Sequence, residues 1–502
     1  MILAENLLSE DHRKEKKMND KYRLIDAADL HEFASNHELK NRDWYNNQYH
    51  LSAFSGLVND PNGLVFFKGK YYIFMQNCPF SPEHKNKSWL LYTTTDFINY
   101  IYEGIAITPS FEGDRHGVFS GSAYVHKNEL YFYYTGNIKI GTEGDRTSFT
   151  IKAKIDLENK TVSKKVLFET DKTRYTGHFR DPIIFEKNNR FYMLNGAQNL
   201  DLKGTINFAS TSNLENDDWK FFKDEDFDIS KRLDNYMLEC PNYLNIENTE
   251  IIFLSVEQKV PFAKGGHHVW YLTGNFDNKM NFNETGTIRK IDQGLDYYAP
   301  QVFNNVEGRK ITMAWLGNSQ SDTKATNTNN WSNQLTIPRE VSLKDNHLYQ
   351  MPIVELEKLR SANITQQKTI EYKNGLIEVD LINTEKEFTI EFLNDKKEKL
   401  KLFYKNHMFG FDRSKCTYKD ATSLPNIYEF AIEQISNLKI LVDRSSMEIF
   451  INDGQETMTI KFFLKKHNQV KTSLTVKDAF QLEPIQIVYN NILFDNQQEG
   501  AN

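Results

Sequence analysis

From Asn59 onward, apolar and polar positions alternate with a period of two in short runs, and the runs come in pairs. The pairs read NDPNGLVFFKGKYYIFMQ from Asn59, FSGSAYVHKNELYFYYTG from Phe119, FRDPIIFEKNNRFYMLNGA from Phe179, LECPNYLNIENTEIIFLSVE from Leu238 and YYAPQVFNNVEGRKITMAWLG from Tyr297. Each is a strand, a polar turn and a second strand rich in aromatic and β-branched residues, which is a hairpin signature. Pro61, Gly121, Pro182, Pro241 and Pro300 align, so the steps are 60, 61, 59 and 59 residues. A fixed period of this size marks an array of supersecondary units. Some sixty residues of hairpins suit a four-stranded propeller blade with long loops, and five blades close a ring.

The pattern changes on either side of the array. Residues 1–40 form a lead segment in which LIDAADLHEFA has helical apolar spacing beside the charge run EDHRKEKK, and Met18 offers a second possible start. The five-bladed array spans 41–345. A connector over 346–367 has helical spacing at Val354, Leu356 and Leu359. From 368 to 502, evenly spaced alternating runs such as GLIEVDLIN, EFTIEFLND and LKILVDRSSMEIFIND predict a β-sandwich. The expected fold class is all-β: a five-bladed β-propeller followed by a C-terminal β-sandwich.

Composition narrows the function. The 502 residues are 39% hydrophobic, with 25 Tyr and 35 Phe, and this aromatic weight favours sheet over helix bundle. A net charge of -7 gives no support for a nucleic-acid or anionic-membrane partner. No run reaches the roughly 18 apolar residues of a membrane span, and charges interrupt the place where a signal peptide needs an apolar core. Cys78, Cys240 and Cys416 are too few and too scattered for a disulfide framework, so a reducing cytoplasm is the expected location. Cys240, next to Glu239, reads as a small inner-strand residue. C-x-x-C, H-E-x-x-H and Walker patterns are absent, and the single His pair, in GGHH at Gly265–His268, lacks partners at zinc-site spacing. No metal and no cofactor are expected, and nothing indicates an oligomeric state.

The repeat also separates chemistry from scaffold. Asp60 and Asp181 directly precede the aligned proline, Glu239 precedes it by two, and copies two and five have no acid there. The innermost strands of a propeller line its axis, so the three acids would meet at the axis mouth. Two carboxylates in a groove are the usual equipment for cutting a glycosidic bond, and a third can hold hydroxyls. Gln76, Trp89, Phe119, Ser120, Arg180, Tyr297 and Trp315 offer aromatic faces and hydrogen bonds to a sugar. Taken singly, each has a structural alternative: Asp60 as a turn former, Arg180–Asp181 as a surface ion pair, Ser120 as a strand-start hydroxyl, Tyr297 and Trp315 as core. The acids' shared place in the repeat is what favours a site.

These motifs together resemble glycoside hydrolase family 32, the invertase, sucrose-6-phosphate hydrolase and fructanase family. NDPNG at Asn59–Gly63, SGS at Ser120–Ser122, RDP at Arg180–Pro182, ECP at Glu239–Pro241, YAPQ at Tyr298–Gln301, IPRE at Ile337–Glu340 and VDRSSMEIFIND at Val442–Asp453 follow the family's order. The resemblance implies a propeller plus sandwich. It implies Asp60 as nucleophile, Glu239 as acid and then base, and Asp181 as stabiliser of the oxocarbenium-like transition state. It implies retention of configuration, hence roughly 5–5.5 Å between the Asp60 and Glu239 carboxyl groups. Asn59, Gln76, Trp89, Phe119, Ser120 and Arg180 match positions that contact the fructosyl unit. The implied activity is a cytoplasmic β-fructofuranosidase releasing fructosyl residues from sucrose 6-phosphate, sucrose or short fructo-oligosaccharides. An arabinofuranosidase or xylosidase on the same propeller and a non-catalytic fructoside-binding protein are the alternatives. Asn77-Cys78 and Trp89-Leu90-Leu91 depart from the family pattern and leave the substrate's leaving group open. A phosphorylated leaving group would need a cation, for which Lys85, Lys87, Arg115, His116 and Lys264 lie in suitable loops.

Overall fold

The structure, a computed structural model, describes residues 22–140, 145–259, 266–319, 324–364, 369–418 and 424–499. Five antiparallel sheets follow one another along the chain, one per repeat. Their first strands are Gly56–Phe67, Val118–His126, Tyr175–Lys187, Met237–Ile246 and Tyr298–Val302. Each pairs with the second strand of its own hairpin, as the repeat predicts. The ring closes where Gly56 and Leu57 pair in parallel with Trp331 and Ser332 of the fifth repeat. The first strands are also stitched sideways at the axis. Asn62 Oδ1 accepts from the Gly121 amide at 3.0 Å, Ser122 Oγ donates to the Pro182 carbonyl at 2.9 Å, and Asn242 Nδ2 donates to the Pro300 carbonyl at 2.9 Å. Apolar clusters fill the wedges between blades, for example Phe74, Trp89, Leu91, Phe132 and Tyr134 between the first two.

Two boundaries differ from the sequence reading. The strand His347–Pro352 is the outer strand of blade five, so the propeller runs past 345; the helical spacing beyond it becomes the 3-10 turn Val354–Leu359. The chain's last strands leave the sandwich. Gln486–Leu493 adds in parallel to the outer edge of blade one, and Asp495–Gln498 does the same for blade two. Covering these edges removes unpaired strand surface. The sandwich itself is two six-stranded sheets around a core that includes Ile390, Phe392, Phe411, Ile440 and Ile449. Of the lead segment, the helix Asp29–Arg42 packs on blade one, burying Phe33, with His37 stacked on Phe54. Met18 lies outside the described residues.

The two domains are joined by buried charge. Asp443 accepts the amides of Gln48, Tyr49 and His50 at 2.7, 2.8 and 3.1 Å. His50 bridges Asp443 through Nδ1 at 2.8 Å and Glu448 through Nε2 at 2.9 Å. Glu448 also accepts the Ile337 amide at 2.7 Å and the Arg339 guanidinium at 2.5 and 2.8 Å. Arg339 reaches Asp292 at 3.1 Å. Burial alone would lower His50, but its bonds to the two carboxylates outweigh this and raise it to about 9. The IPRE and VDRSSMEIF segments therefore face each other as a lock between propeller and sandwich.

Candidate active site

A regular strand would show the axis every second residue. Here a register shift interrupts each first strand beside the aligned residue, between Val58 and Pro61, Val118 and Gly121, Glu239 and Asn242, and Tyr298 and Gln301; in blade three it falls between the partners of Arg180 and Ile183. Such bulges re-aim side chains. As a result two adjacent positions face one cavity. The position two before the aligned residue contributes Asn59, Phe119, Arg180, Glu239 and Tyr298, and the next contributes Asp60, Ser120, Asp181 and Cys240. Asp181, Cys240 and Ala299 hold φ of 63°, 44° and 47°. Three non-glycine residues at equivalent places in left-handed conformation are strain held by the surrounding sheet.

The cavity is about 380 Å³ and mixed in character. The acids enter it from blades one, three and four. Ser120 Oγ donates to Asp60 Oδ2 at 2.5 Å, Gln76 Nε2 donates to Ser120 Oγ at 2.5 Å, and Asn59 Nδ2 donates to Gln76 Oε1 at 2.7 Å. Lys87 Nζ ties this chain down with bonds of 2.8 Å to both Asn59 Oδ1 and Gln76 Oε1. Burial raises Asp60 from its ordinary value, against the Lys87 charge and the Ser120 bond. Asp181 Oδ2 accepts the Cys240 amide at 3.0 Å and lies 3.5 Å from Cys240 Sγ, which is itself 3.9 Å from Asp60 Oδ2. Burial lifts Asp181 to about 7, opposed by Arg180 and assisted by the negative charge of Glu239. Burial would raise Glu239 too, but the Arg180 charge and a bond from Tyr298 hold it below its ordinary value. Arg180 Nη2 lies 2.6 Å from Glu239 Oε1, and Tyr298 Oη donates to Glu239 Oε2 at 2.7 Å.

Of the residues expected in the site, Asp60, Asp181, Glu239, Asn59, Gln76, Phe119, Ser120, Arg180 and Trp315 line this cavity. Trp89 does not. Its ring is fully buried between Phe74, Phe132 and Tyr134, and its Nε1 donates to the Phe119 carbonyl at 3.2 Å, so it supports Phe119 from behind. Tyr297 does not either. It turns toward the domain lock, where Arg339 lies 5.0 Å from its ring centre. The cavity-lining tyrosine is its neighbour Tyr298, which occupies the same repeat position as Glu239, a correspondence visible in the sequence itself. Of the loop cations, Lys87 belongs to the Asp60 network, Lys85 and His116 line the cavity, exposed Arg115 pairs with Glu112 at 2.9 Å, and Lys264 lies outside the described residues. Sequence reading missed Arg146, Lys139 and Glu257, which also line the cavity; Arg146 lies on a third strand and Lys139 at the end of a second strand, both beyond the quoted repeats, while Glu257 is the last residue of the fourth copy. Two buried donors in the lining, Arg146 Nε and Trp315 Nε1, have no hydrogen-bond partner among the described residues. Among the described residues no cluster of His, Cys, Asp and Glu is arranged to hold a metal ion.

Residues 50–352 match the model of the glycosyl hydrolases family 32 N-terminal domain, and residues 342–487 match that of the family's C-terminal domain. The chain belongs to glycoside hydrolase family 32. It is a glycoside hydrolase with the family's propeller and sandwich. A sucrose-6-phosphate hydrolase of Vibrio alginolyticus is 32% identical over 434 residues, 84% of this chain and 87% of the relative. One of Staphylococcus xylosus is 30% identical over 485 residues, 90% and 94% of the two chains. The solved sucrose-6-phosphate hydrolase of Lactobacillus gasseri superimposes with a TM-score of 0.80 at 26% identity, covering 93% of this chain and 99% of its own. A Bombyx mori family 32 β-fructofuranosidase, solved as a mutant with sucrose, shares the fold with a TM-score of 0.78 at 20% identity and 92% and 98% coverage.

Proposed function

We propose that this hydrolase releases β-fructofuranosyl residues with retention, and that its preferred substrate is sucrose 6-phosphate. The observation that carries the reaction is the meeting of Asp60, Asp181 and Glu239, from equivalent places in three blades, in one cavity. Asp60, held by Ser120, which Gln76 holds in turn, attacks the anomeric carbon of the fructosyl unit. Glu239 gives a proton to the departing oxygen and later takes one from the attacking water. Asp181 lies beside both and stabilises positive charge developing on the ring. The similarity to sucrose-6-phosphate hydrolases supports the substrate.

The phosphate has a candidate partner on the acid's side of the cavity. The Arg146 charge bears on both Glu239 and Glu257, and its Nε is buried without an acceptor among the described residues. A guanidinium left unpaired in a lining suits a phosphate oxygen. The test is the ratio of kcat/KM for sucrose 6-phosphate to that for sucrose. Arg146→Ala should lower that ratio roughly 10- to 100-fold, the worth of a charge-assisted bond. An unchanged ratio would place phosphate recognition elsewhere. A cytoplasmic setting, where a phosphorylated sugar would be met, agrees with three cysteines that are all free thiols.

A further inference from the structure

The cavity contains a fourth carboxylate. Glu257 ends the second strand of blade four, two residues beyond Ser255, which pairs with Glu239. Arg180 stands between the two acids, its Nη2 2.6 Å from Glu239 and 3.7 Å from Glu257. No side chain or amide among the described residues makes a hydrogen bond to the Glu257 carboxyl, which is 28% exposed. This matters because a general acid must carry a proton, whereas a guanidinium and a phenol on Glu239 both favour its anion. Something must oppose them.

We propose that Glu257 is a positioning residue for the acid: by drawing on Arg180 and placing a second negative charge beside Glu239, it keeps a proton available to Glu239 at neutral pH. The inference rests on Glu239 being the acid. The groups facing Glu257 are Glu239 from its own blade, Arg180 from blade three, Arg146 from blade two and Tyr298 from blade five. His178 and His267 lie near Glu239 but are held neutral, both chiefly by burial. Tyr298 is neutral for the same reason. Arg180 and Arg146 are therefore the cations that the two glutamates divide. Burial and the Glu239 charge raise Glu257, while Arg180 and the Tyr298 bond lower Glu239, so the two carboxyls compete for the same cation and the same proton.

The test is the pH profile of kcat/KM for the full chain acting on sucrose 6-phosphate and on sucrose. In Glu257→Gln, Arg180 commits wholly to Glu239 and the like charge is gone. The alkaline limb should move to lower pH by about one unit or more, a roughly tenfold loss at pH 7 that recovers near pH 5. Glu257→Asp, a milder change should the first fold poorly, should move the limb part of the way. An aryl fructoside, whose leaving group needs little protonation, should lose much less. A Glu257→Gln profile that superimposes on that of the parent, or a pH-independent rise in KM alone, would overturn the proposal. Glu239→Gln is run in parallel. If it keeps the parent's alkaline limb, the assignment of Glu239 has failed; if it is inactive while Glu257→Gln is unaltered, only the role of Glu257 has.

Discussion

The domain lock and the cavity are built from the same materials and end in opposite states. In the lock, Asp292, Asp443 and Glu448 meet His50 and Arg339, all buried, and none of these five side chains has an unpaired buried polar atom. In the cavity, Asp60, Asp181, Glu239 and Glu257 meet Lys87, Arg146 and Arg180, yet Arg146 Nε and Trp315 Nε1 have no partner among the described residues and three inner-strand residues sit at positive φ. A satisfied network specifies one packing; an incomplete one is ready to bind. The lesson extends to motifs. IPRE and VDRSSMEIF mark the family as clearly as NDPNG and ECP do, but they hold the domains together, while NDPNG and ECP deliver side chains to the cavity.

That contrast can be broken in order of effect. Asp60→Asn removes the proposed nucleophile and should cut kcat by roughly four orders of magnitude or more, with the melting temperature unchanged. Glu448→Ala should do the reverse. Removing one partner from a buried charge network costs about 3–5 kcal/mol, seen as an early thermal transition, while kcat/KM per folded molecule stays near that of the parent. A large catalytic loss in Glu448→Ala at temperatures where it is fully folded would merge the two regions into one. Tyr298→Phe deletes the 2.7 Å bond to Glu239. Because that bond favours the anion, the alkaline limb of the pH profile should move upward, opposite in sign to Glu257→Gln, with a change of about tenfold or less in kcat/KM.

Smaller effects test the lock's charge state and the neighbouring tyrosine. His50 is held at about 9 by Asp443 and Glu448 against burial, and an unfolded histidine titrates near 6.5. Its contribution is therefore complete below about pH 6.5 and is lost as pH rises through about 9. The melting temperature should fall across that window in the parent and remain flatter in His50→Gln. Tyr297→Phe should change neither activity nor stability appreciably, since its buried hydroxyl has no partner. A loss as large as that of Tyr298→Phe would mean that Tyr297, not Tyr298, serves the cavity.

The blades were legible because each copy repeats the same hairpin and the aligned residue fixes its register. The three acids were legible for the same reason. The bulge that turns two consecutive residues toward the axis leaves no mark in hydrophobic alternation; only the alignment of Tyr298 with Glu239 in the repeat separates it from Tyr297. Trp89 is an indole, which suits a sugar face as well as a core, and only its packing against Phe132 and Tyr134 decides for the core. The terminal strands 486–498, QIVYNNILFDNQQ, carry neither the repeat nor a period of two, and only tertiary pairing assigns them to blades one and two.

The central claim is that Asp60 forms a covalent bond to the fructosyl unit while Glu239 manages the proton. Its most direct measurement is mass spectrometry of the Glu239→Ala variant after reaction with an activated aryl fructoside, where the first step needs little acid and the second lacks its base. The account predicts a single fructosyl adduct on the peptide carrying Asp60, released on adding azide. An adduct on Asp181, or turnover with inversion and no adduct, would contradict it.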